Sequence, residues 1–350
     1  MSGGVDSTAT AYLLLKEGYK VIGLHMKLND EIDPLHSRAC CSLDSSLDAR
    51  MAADALGIPL YVINLVEPFK VKVIEPFIRD YQQGITPNPC VECNKYIKFG
   101  ALLDKANQLE ADYIATGHYA TIYLQDGRYR MKKAKEEQKD QTYMLYGLSQ
   151  EVLSRVLMPL GQVENKEEVR AMVKEIHQKS SENPDSQDIC FIPDDDHSAF
   201  LIDQGVKSIP GDFLVGDEII GTHKGIEHYT VGQRKGLGVS YKHPLYVTGI
   251  DADTHRVHLG TNQETYSKGL VATDVNFIYE ELPVGESREL SAKVRYSQQS
   301  YRATITRLKE DEIRVIFSEP VRAVTPGQSV VLYYGDDLYG GGIIRESIKE

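Results

Sequence analysis

The sequence has no apolar run of about 18 residues, the minimum for a bilayer-spanning helix, so no transmembrane segment is expected. It has no charged start followed by an apolar stretch, which argues against a secretory leader and for a cytoplasmic protein. It also lacks an excess of positive charge: 39 Lys and Arg stand against 51 Asp and Glu, a formal net charge of -12. That balance argues against binding nucleic acid by bulk charge but leaves room for a local basic patch. Cysteine is sparse and odd in number, 5 in 350 residues. A disulfide framework is therefore not expected, and thiol chemistry or metal binding in a reducing cytoplasm is. Internal repeats and low-complexity segments are absent.

What is present changes character along the chain. Helical periodicity over 8–17, 44–56, 67–83 and 94–110 alternates with short apolar strands over 20–26, 60–64 and 112–116. Strands alternating with helices of this length indicate an α/β, Rossmann-like parallel sheet covered on both faces. A hairpin follows around Asp126-Gly127, a strong two-residue turn signal, and then helical segments near 143–155 and 164–179. After about residue 205 helical periodicity nearly vanishes. Residues 212–259 read as short strands with turns, and 269–350 alternate strongly, as in a small antiparallel barrel. Three domains are expected: 1–205, a small β-rich 206–268, and a C-terminal β-barrel over 269–350.

Ser2-Gly3-Gly4-Val5-Asp6-Ser7 stands immediately before the first helix. Two glycines let backbone approach a ligand closely, and the helix start offers unpaired N–H groups and a positive dipole end. Ser2 and Ser7 add hydroxyl donors, making a nest for phosphate or pyrophosphate. Asp6 is placed by type and position to help hold Mg²⁺ bridging phosphates. The bland alternative is a glycine turn with a helix cap. The loop is not a Walker loop, since GxxxxGK[ST] is absent. It resembles the signature of ATP pyrophosphatases, in which an apolar strand delivers the loop to the sheet. Only Met1 precedes Ser2, so either the chain starts late or that first strand is missing.

Cys90 and Cys93 form a C-x-x-C in TPNPCVECN, before the helix expected from Asn94, and Cys190 lies in DSQDICFIP. A helix N-terminus stabilises a nearby thiolate, which suits Cys93. A structural zinc site needs four ligands, and no second C-x-x-C supplies them. Cys40 reads as a buried thiol. Three cysteines with an open position also suit a [4Fe–4S] cluster.

The motifs taken together are more specific than any one of them. SGGVDS, ACCSLDSSLDARMAADALGIPLYVIN, TPNPCVECNKYIKFG, ADYIATGHYA, KDQTYML, SQDICFIP, GQRKGLG and VRYSQQ occur in order along almost the whole chain. In this the chain resembles the bacterial tRNA-specific 2-thiouridylases. The resemblance implies that ATP adenylates the C2 oxygen of a wobble uridine with release of pyrophosphate. A persulfide sulfur then attacks C2, and AMP departs. It implies Cys190 as the persulfide carrier and Cys93 as the nucleophile that releases the sulfur and then pairs with Cys190. Met1, Ser2, Gly3, Gly4, Val5, Asp6 and Ser7 would form the ATP loop, with Met26 on the adenine side and Gly117 at a backbone contact. Asn88, Pro89 and Cys90 would meet the target base. His118, the turn of Lys139, Asp140 and Gln141, and Arg295, Tyr296 and Gln328 in the barrel would contact tRNA. The sulfur donor implied is a relay protein fed by a cysteine desulfurase. Many members carry Asp where this chain has Cys90, so two routes stay open: a persulfide with a disulfide, or a [4Fe–4S] cluster on Cys90, Cys93 and Cys190.

An acidic chain would hold tRNA through local patches. Residues 128–139 carry Arg128, Arg130, Lys132, Lys133, Lys135 and Lys139 against Glu136 and Glu137, six minus two, or +4. Arg234, Lys235 and Lys242 form a second cluster, and Lys293, Arg295, Arg302 and Arg307 lie on barrel strands. A solvated strand face is the bland alternative. Chemistry at C2 requires the uridine to leave its stack, and Tyr119, Tyr143 or Tyr296 are candidates to stack on it. Rival functions are an ATP-dependent synthetase for a small metabolite, which leaves the cysteines and barrel unexplained, and a non-catalytic tRNA-binding or Fe–S structural protein.

Overall fold

The computed structural model describes residues 1–29, 43–182, 189–192 and 196–349; Cys40 and Cys41 lie outside them. The chain divides into two compact units. One holds Met1–Val73, Cys90–Asp195 and Asp336–Leu338, the other Ile74–Pro89, Asp196–Gly335 and Tyr339–Glu350.

The first unit is α/β. Helix α1 (Val5–Lys16) leads to strand β1 (Gly23–Lys27), and α2 (Leu43–Leu56) crosses to β2 (Leu60–Asn64), which pairs in parallel with β1. A parallel pair needs such a crossover, because a tight turn can only reverse the chain. Helix α3 (Val66–Phe69) runs through wide turns at Lys70–Ile74 into α4 (Glu75–Gln82), which belongs to the second unit. Helix α5 (Pro89–Glu92) continues through wide π turns at Cys93–Ala101 into α6 (Leu102–Gln108). Strand β3 (Ile114–Ala115) follows, then the expected hairpin of β4 (Ala120–Gln125) and β5 (Arg128–Lys133). Strand β6 (Val156–Leu157) returns to pair in parallel with β3.

Two helices differ from the periodicity. The helix expected from Asn94 starts at Pro89, because proline lacks the N–H that a first helical residue cannot use and its φ is already helical. The helix expected near 143–155 is a single tight turn at Thr142–Met144 and a short α7 (Gln150–Leu153). Gly147 interrupts it, and Ser149 opens α7 by accepting from Val152 N at 3.3 Å. Helices α8 (Lys166–Ile176) and α9 (Gln178–Glu182) complete the unit. Val169 and Val173 of α8 pack with Val5 and Ala9 of α1 around Tyr119 and Leu160.

The second unit contains α4, α10 (His197–Asp203) and two β systems. Strands β7 (Gly211–Val215), β8 (Glu218–His223), β9 (Tyr246–Asp251) and β10 (Arg256–Gly260) form a sheet in the order β8-β7-β10-β9. Phe213, Val247 and Val257 are its fully buried centre. Strands β11 (Tyr266–Phe277), β12 (Ser287–Lys293), β13 (Tyr301–Lys309), β14 (Glu312–Arg322), β15 (Ser329–Tyr334) and β16 (Asp337–Ile348) follow. Their order is β11-β14-β13-β12-β15-β16, and β11 also pairs with β16, so the barrel is closed and has no free edge. Among the described residues no helix is long and apolar enough to cross a membrane.

Closure passes through Gly269, which stands opposite Ile316 of β14 and Ile348 of β16. A Cβ there would lie 2.4 Å from the Val315 carbonyl oxygen. Gly269→Val is therefore expected to destabilise the fold by about 2–3 kcal/mol, as overpacked sites do. An unchanged urea midpoint would contradict the closure.

Candidate active site

The loop before α1 is held by close backbone approach. Gly3 sits at φ +80°, and a Cβ there would fall 2.5 Å from Ala49 N and Asp48 C of α2. Glycine thus meets both a left-handed backbone and a close approach. The Gly3 carbonyl accepts from Ser180 Oγ at 2.7 Å, and Ser180 is fully buried. Gly4 opens α1 with extended backbone and no side-chain cap. The loop hydroxyls pair with each other, Ser2 Oγ to Ser7 Oγ at 3.2 Å, and Ser2 N donates to Ser7 Oγ at 3.2 Å. Met1 is fixed to β1: its nitrogen donates to the Leu24 carbonyl, and its own carbonyl meets His25 Nδ1 at 2.9 Å. Met26 is half-buried on the same strand. Gly117 also closes on Asp6, since a Cβ at 117 would be 2.8 Å from Asp6 Cβ.

Asp6 is the loop's carboxylate. Its Oδ1 accepts from the Tyr119 hydroxyl at 3.0 Å and pairs with Lys166 Nζ. Tyr119 is in turn held by Gln141, whose Oε1 accepts from Tyr119 N at 3.0 Å and whose N donates to Tyr119 O at 2.9 Å. Asp140 shapes the same turn, accepting from Ala134 N at 3.2 Å and from Thr142 Oγ1 at 2.7 Å. Lys139 beside them is half-buried.

Cys93 is buried, and Cys90 and Cys190 are half-buried. The earlier helix start puts Cys90 in its first turn and Cys93 one turn further in. Phe191, next to Cys190, meets Phe69 edge-on at 5.6 Å, and α3, which carries Phe69, packs against the turns at Cys93–Ala101. Among the described residues no group of three or more His, Cys, Asp or Glu is arranged to hold a metal, so the three cysteines do not form a cluster cradle here. Magnesium is a different case. An ion carried on a polyphosphate needs only one or two protein carboxylates, and Asp6 fits that requirement.

His118 is buried, with Nδ1 2.9 Å from Thr116 Oγ1 and Nε2 3.5 Å from Lys98 Nζ. Tyr119 and Tyr143 are also buried, so as placed neither offers a face to a base, whereas Tyr296 is exposed with Lys293 over its ring. In the second unit Arg295 turns inward, donating to Val231 O at 2.8 Å and Thr325 Oγ1 at 2.6 Å. Gln328 donates to Thr86 O at 3.0 Å and Pro87 O at 3.1 Å, and so fixes the segment leading to half-buried Asn88 and buried Pro89. Lys166 and the clamping roles of Tyr119 and Gln328 are not evident from motif reading. For Lys166 a signal exists: positions 166, 169 and 173 share a helix face, and only the first is charged.

Residues 1–194 match the family described as tRNA methyl transferase HUP domain, 198–261 the tRNA methyl transferase PRC-barrel domain, and 267–344 the aminomethyltransferase beta-barrel domain. Among similar proteins, the tRNA-specific 2-thiouridylase MnmA of Acetivibrio thermocellus is 48% identical over 352 residues, covering 99% of this chain and 98% of the relative. Those of Clostridioides difficile and Carboxydothermus hydrogenoformans are 47% and 46% identical, each covering 99% of this chain and 97% of the relative.

Burial, reinforced by the Lys98 cation, pushes the His118 imidazole well below its ordinary value. Burial also lowers His25 and His223. The unfolded chain takes up these protons near pH 6.5 and the native chain does not, so stability falls as pH drops below about 6.5. Each such histidine adds a slope of up to about 1.4 kcal/mol per pH unit. His118→Asn is expected to flatten the decline between pH 6.5 and 5 in urea titrations; an unchanged slope would show that His118 protonates in the native state.

Proposed function

The chain belongs to the family of tRNA-specific 2-thiouridylases, and from that premise we propose that it uses ATP to convert the wobble uridine of a subset of tRNAs to 2-thiouridine. The observation that carries this reading is that the glycine loop before α1 lies in the same compact unit as Cys93 and Cys190. The family descriptions name methyl transfer and the relatives name thiolation. Cysteine thiols suit sulfur transfer, so the relatives' chemistry is preferred.

The steps follow from leaving-group chemistry. A carbonyl oxygen in an amide-like ring leaves poorly. The C2 oxygen attacks the α-phosphorus of ATP, and pyrophosphate departs from the loop of residues 2–7. Magnesium, held in part by Asp6, would neutralise the polyphosphate charge. Cys190 carries the persulfide. The Cys93 thiolate attacks Cys190 Sγ, forming a Cys93–Cys190 disulfide and releasing the outer sulfur as hydrosulfide. Hydrosulfide adds to C2, the C2–O bond breaks, and AMP leaves with its electron pair. A dithiol reductant must then supply two electrons to reopen the disulfide. The alternative route, a [4Fe–4S] cluster on Cys90, Cys93 and Cys190, would need the three to converge, and among the described residues they form no such group.

Residues 1–205 would supply the adenylation and sulfur chemistry, 206–268 a small β-rich connection, and 269–350 a tRNA-binding barrel. On β5, Arg128, Arg130 and Lys132 share the face opposite fully buried Met131; Arg130 is answered by Asp126 at 3.9 Å and Gln125 Oε1 at 3.1 Å, so Arg128 and Lys132 are the cations proposed for phosphates. The sulfur would come from a relay protein fed by a cysteine desulfurase, in the cytoplasm.

Cys190→Ser and Cys93→Ser are each expected to lower thiolation at least about a hundredfold, as loss of a covalent catalyst does. Adenylation, followed by pyrophosphate release with tRNA present, should survive in both. Mass spectrometry of the tRNA nucleosides reads the product. Full 2-thiouridine formation by Cys190→Ser would refute the carrier assignment, and unchanged 2-thiouridine in cells lacking the protein would refute the function.

A further inference from the structure

Lys166 is charged where the helix calls for an apolar residue. It shares a face of α8 with Val169 and Val173, both fully buried in the cluster with Val5, Ala9 and Tyr119, and is itself only 6% exposed. Lysine is seldom buried so far unless paired. Its backbone position is set by Asn165, which caps α8 by accepting from Glu168 N at 2.9 Å. Its ammonium pairs with Asp6 Oδ1 and lies 5.3 Å from the centroid of the Tyr119 ring. The Tyr119 hydroxyl donates to the same Oδ1.

Stability does not explain this arrangement. Taking two charges out of water costs about what their attraction returns, and an apolar pair of similar size serves a core equally well. What the arrangement does provide is direction. Two donors on one oxygen fix the carboxylate plane, and Gly117 against Asp6 Cβ removes its remaining freedom.

We propose that Lys166 is a positioning residue for the ATP step: together with Tyr119 it holds Oδ1 of Asp6, so that Oδ2 is presented to the magnesium-bound triphosphate. Lys166 acts through Asp6 and does not itself touch ATP. The proposal rests on the reading of residues 2–7 as an ATP loop. It also gives Gln141 a part, since the turn that fixes Tyr119 is built from residues the family resemblance assigns to tRNA contact.

The test is calorimetric binding of magnesium-ATP to the full chain without tRNA. Lys166→Met is expected to raise Kd on the order of tenfold or more, Tyr119→Phe by less, and Lys166→Arg to restore most of the loss. The decisive measurement is a cycle with Asp6→Asn. If Lys166 works through Asp6, adding Lys166→Met to Asp6→Asn costs little more. An undiminished cost in that background would make Lys166 a direct ATP ligand and overturn the proposal, as would an unchanged Kd in Lys166→Met. Near-ultraviolet dichroism of each variant separates misfolding from misplacement; should Lys166→Met misfold, the Tyr119→Phe and Asp6→Asn pair carries the same cycle. Failure of the wild-type chain to bind magnesium-ATP would instead remove the ATP reading itself.

Discussion

The nucleotide end of the protein depends on how closely two backbones approach at Gly3. With φ at +80° and α2 backbone 2.5 Å from where a Cβ would stand, no other residue fits without moving a helix. Ala49, Ala52 and Ala53 of α2 are fully buried small residues and make the approach possible from their side. Gly117 makes a second close approach, to Asp6. The loop is therefore clasped between two contacts that exclude side chains, and its shape is set before any ligand arrives. Such rigidity matters because donors aimed in advance need no reorganisation when charge develops.

Charge is placed just as locally. The whole chain carries -12, yet the hairpin of β4 and β5 gathers cations, and Lys132 lies 5.7 Å from the Tyr123 ring. Counting charges along the sequence overstates what this patch offers. Lys133 faces Asp336 at 3.5 Å and Lys135 faces Glu164 at 3.4 Å, so part of the +4 is answered within the fold. These exposed pairs are weak, and a polyanion can displace them readily. An acidic remainder with a small basic face favours a partner that fits that face over polyanions in general.

Much of this was legible in the sequence because periodicity and turn chemistry are local. The period of two announced the barrel strands, Asp126-Gly127 the hairpin, and the alternation of strands with helices the parallel pairs β1–β2 and β3–β6. Side-chain direction was not legible. Arg295 and Gln328 read as contacts for a polyanion, and in the fold both also donate to backbone carbonyls of their own unit. Tyr119 read as a stacking surface and is a hydrogen-bond donor to Asp6. Such outcomes depend on which segments meet in space, and the local pattern holds no record of that.

The cysteines show how a small shift in a helix boundary changes a chemical reading. With the helix starting at Pro89, its positive end is offered first to Cys90, and Cys93 lies a turn inside, buried at 8% exposure. Burial is an unusual place for a nucleophile that must meet a large substrate. It suits one whose partner is another cysteine of the same chain. An adenylated C2 carbonyl is open to any nucleophile that reaches it, and water is the most abundant. On the proposed route, a thiol kept out of solvent would release sulfide only when the persulfide of Cys190 is delivered to it, so the activated base would meet sulfur in a place from which water is withheld.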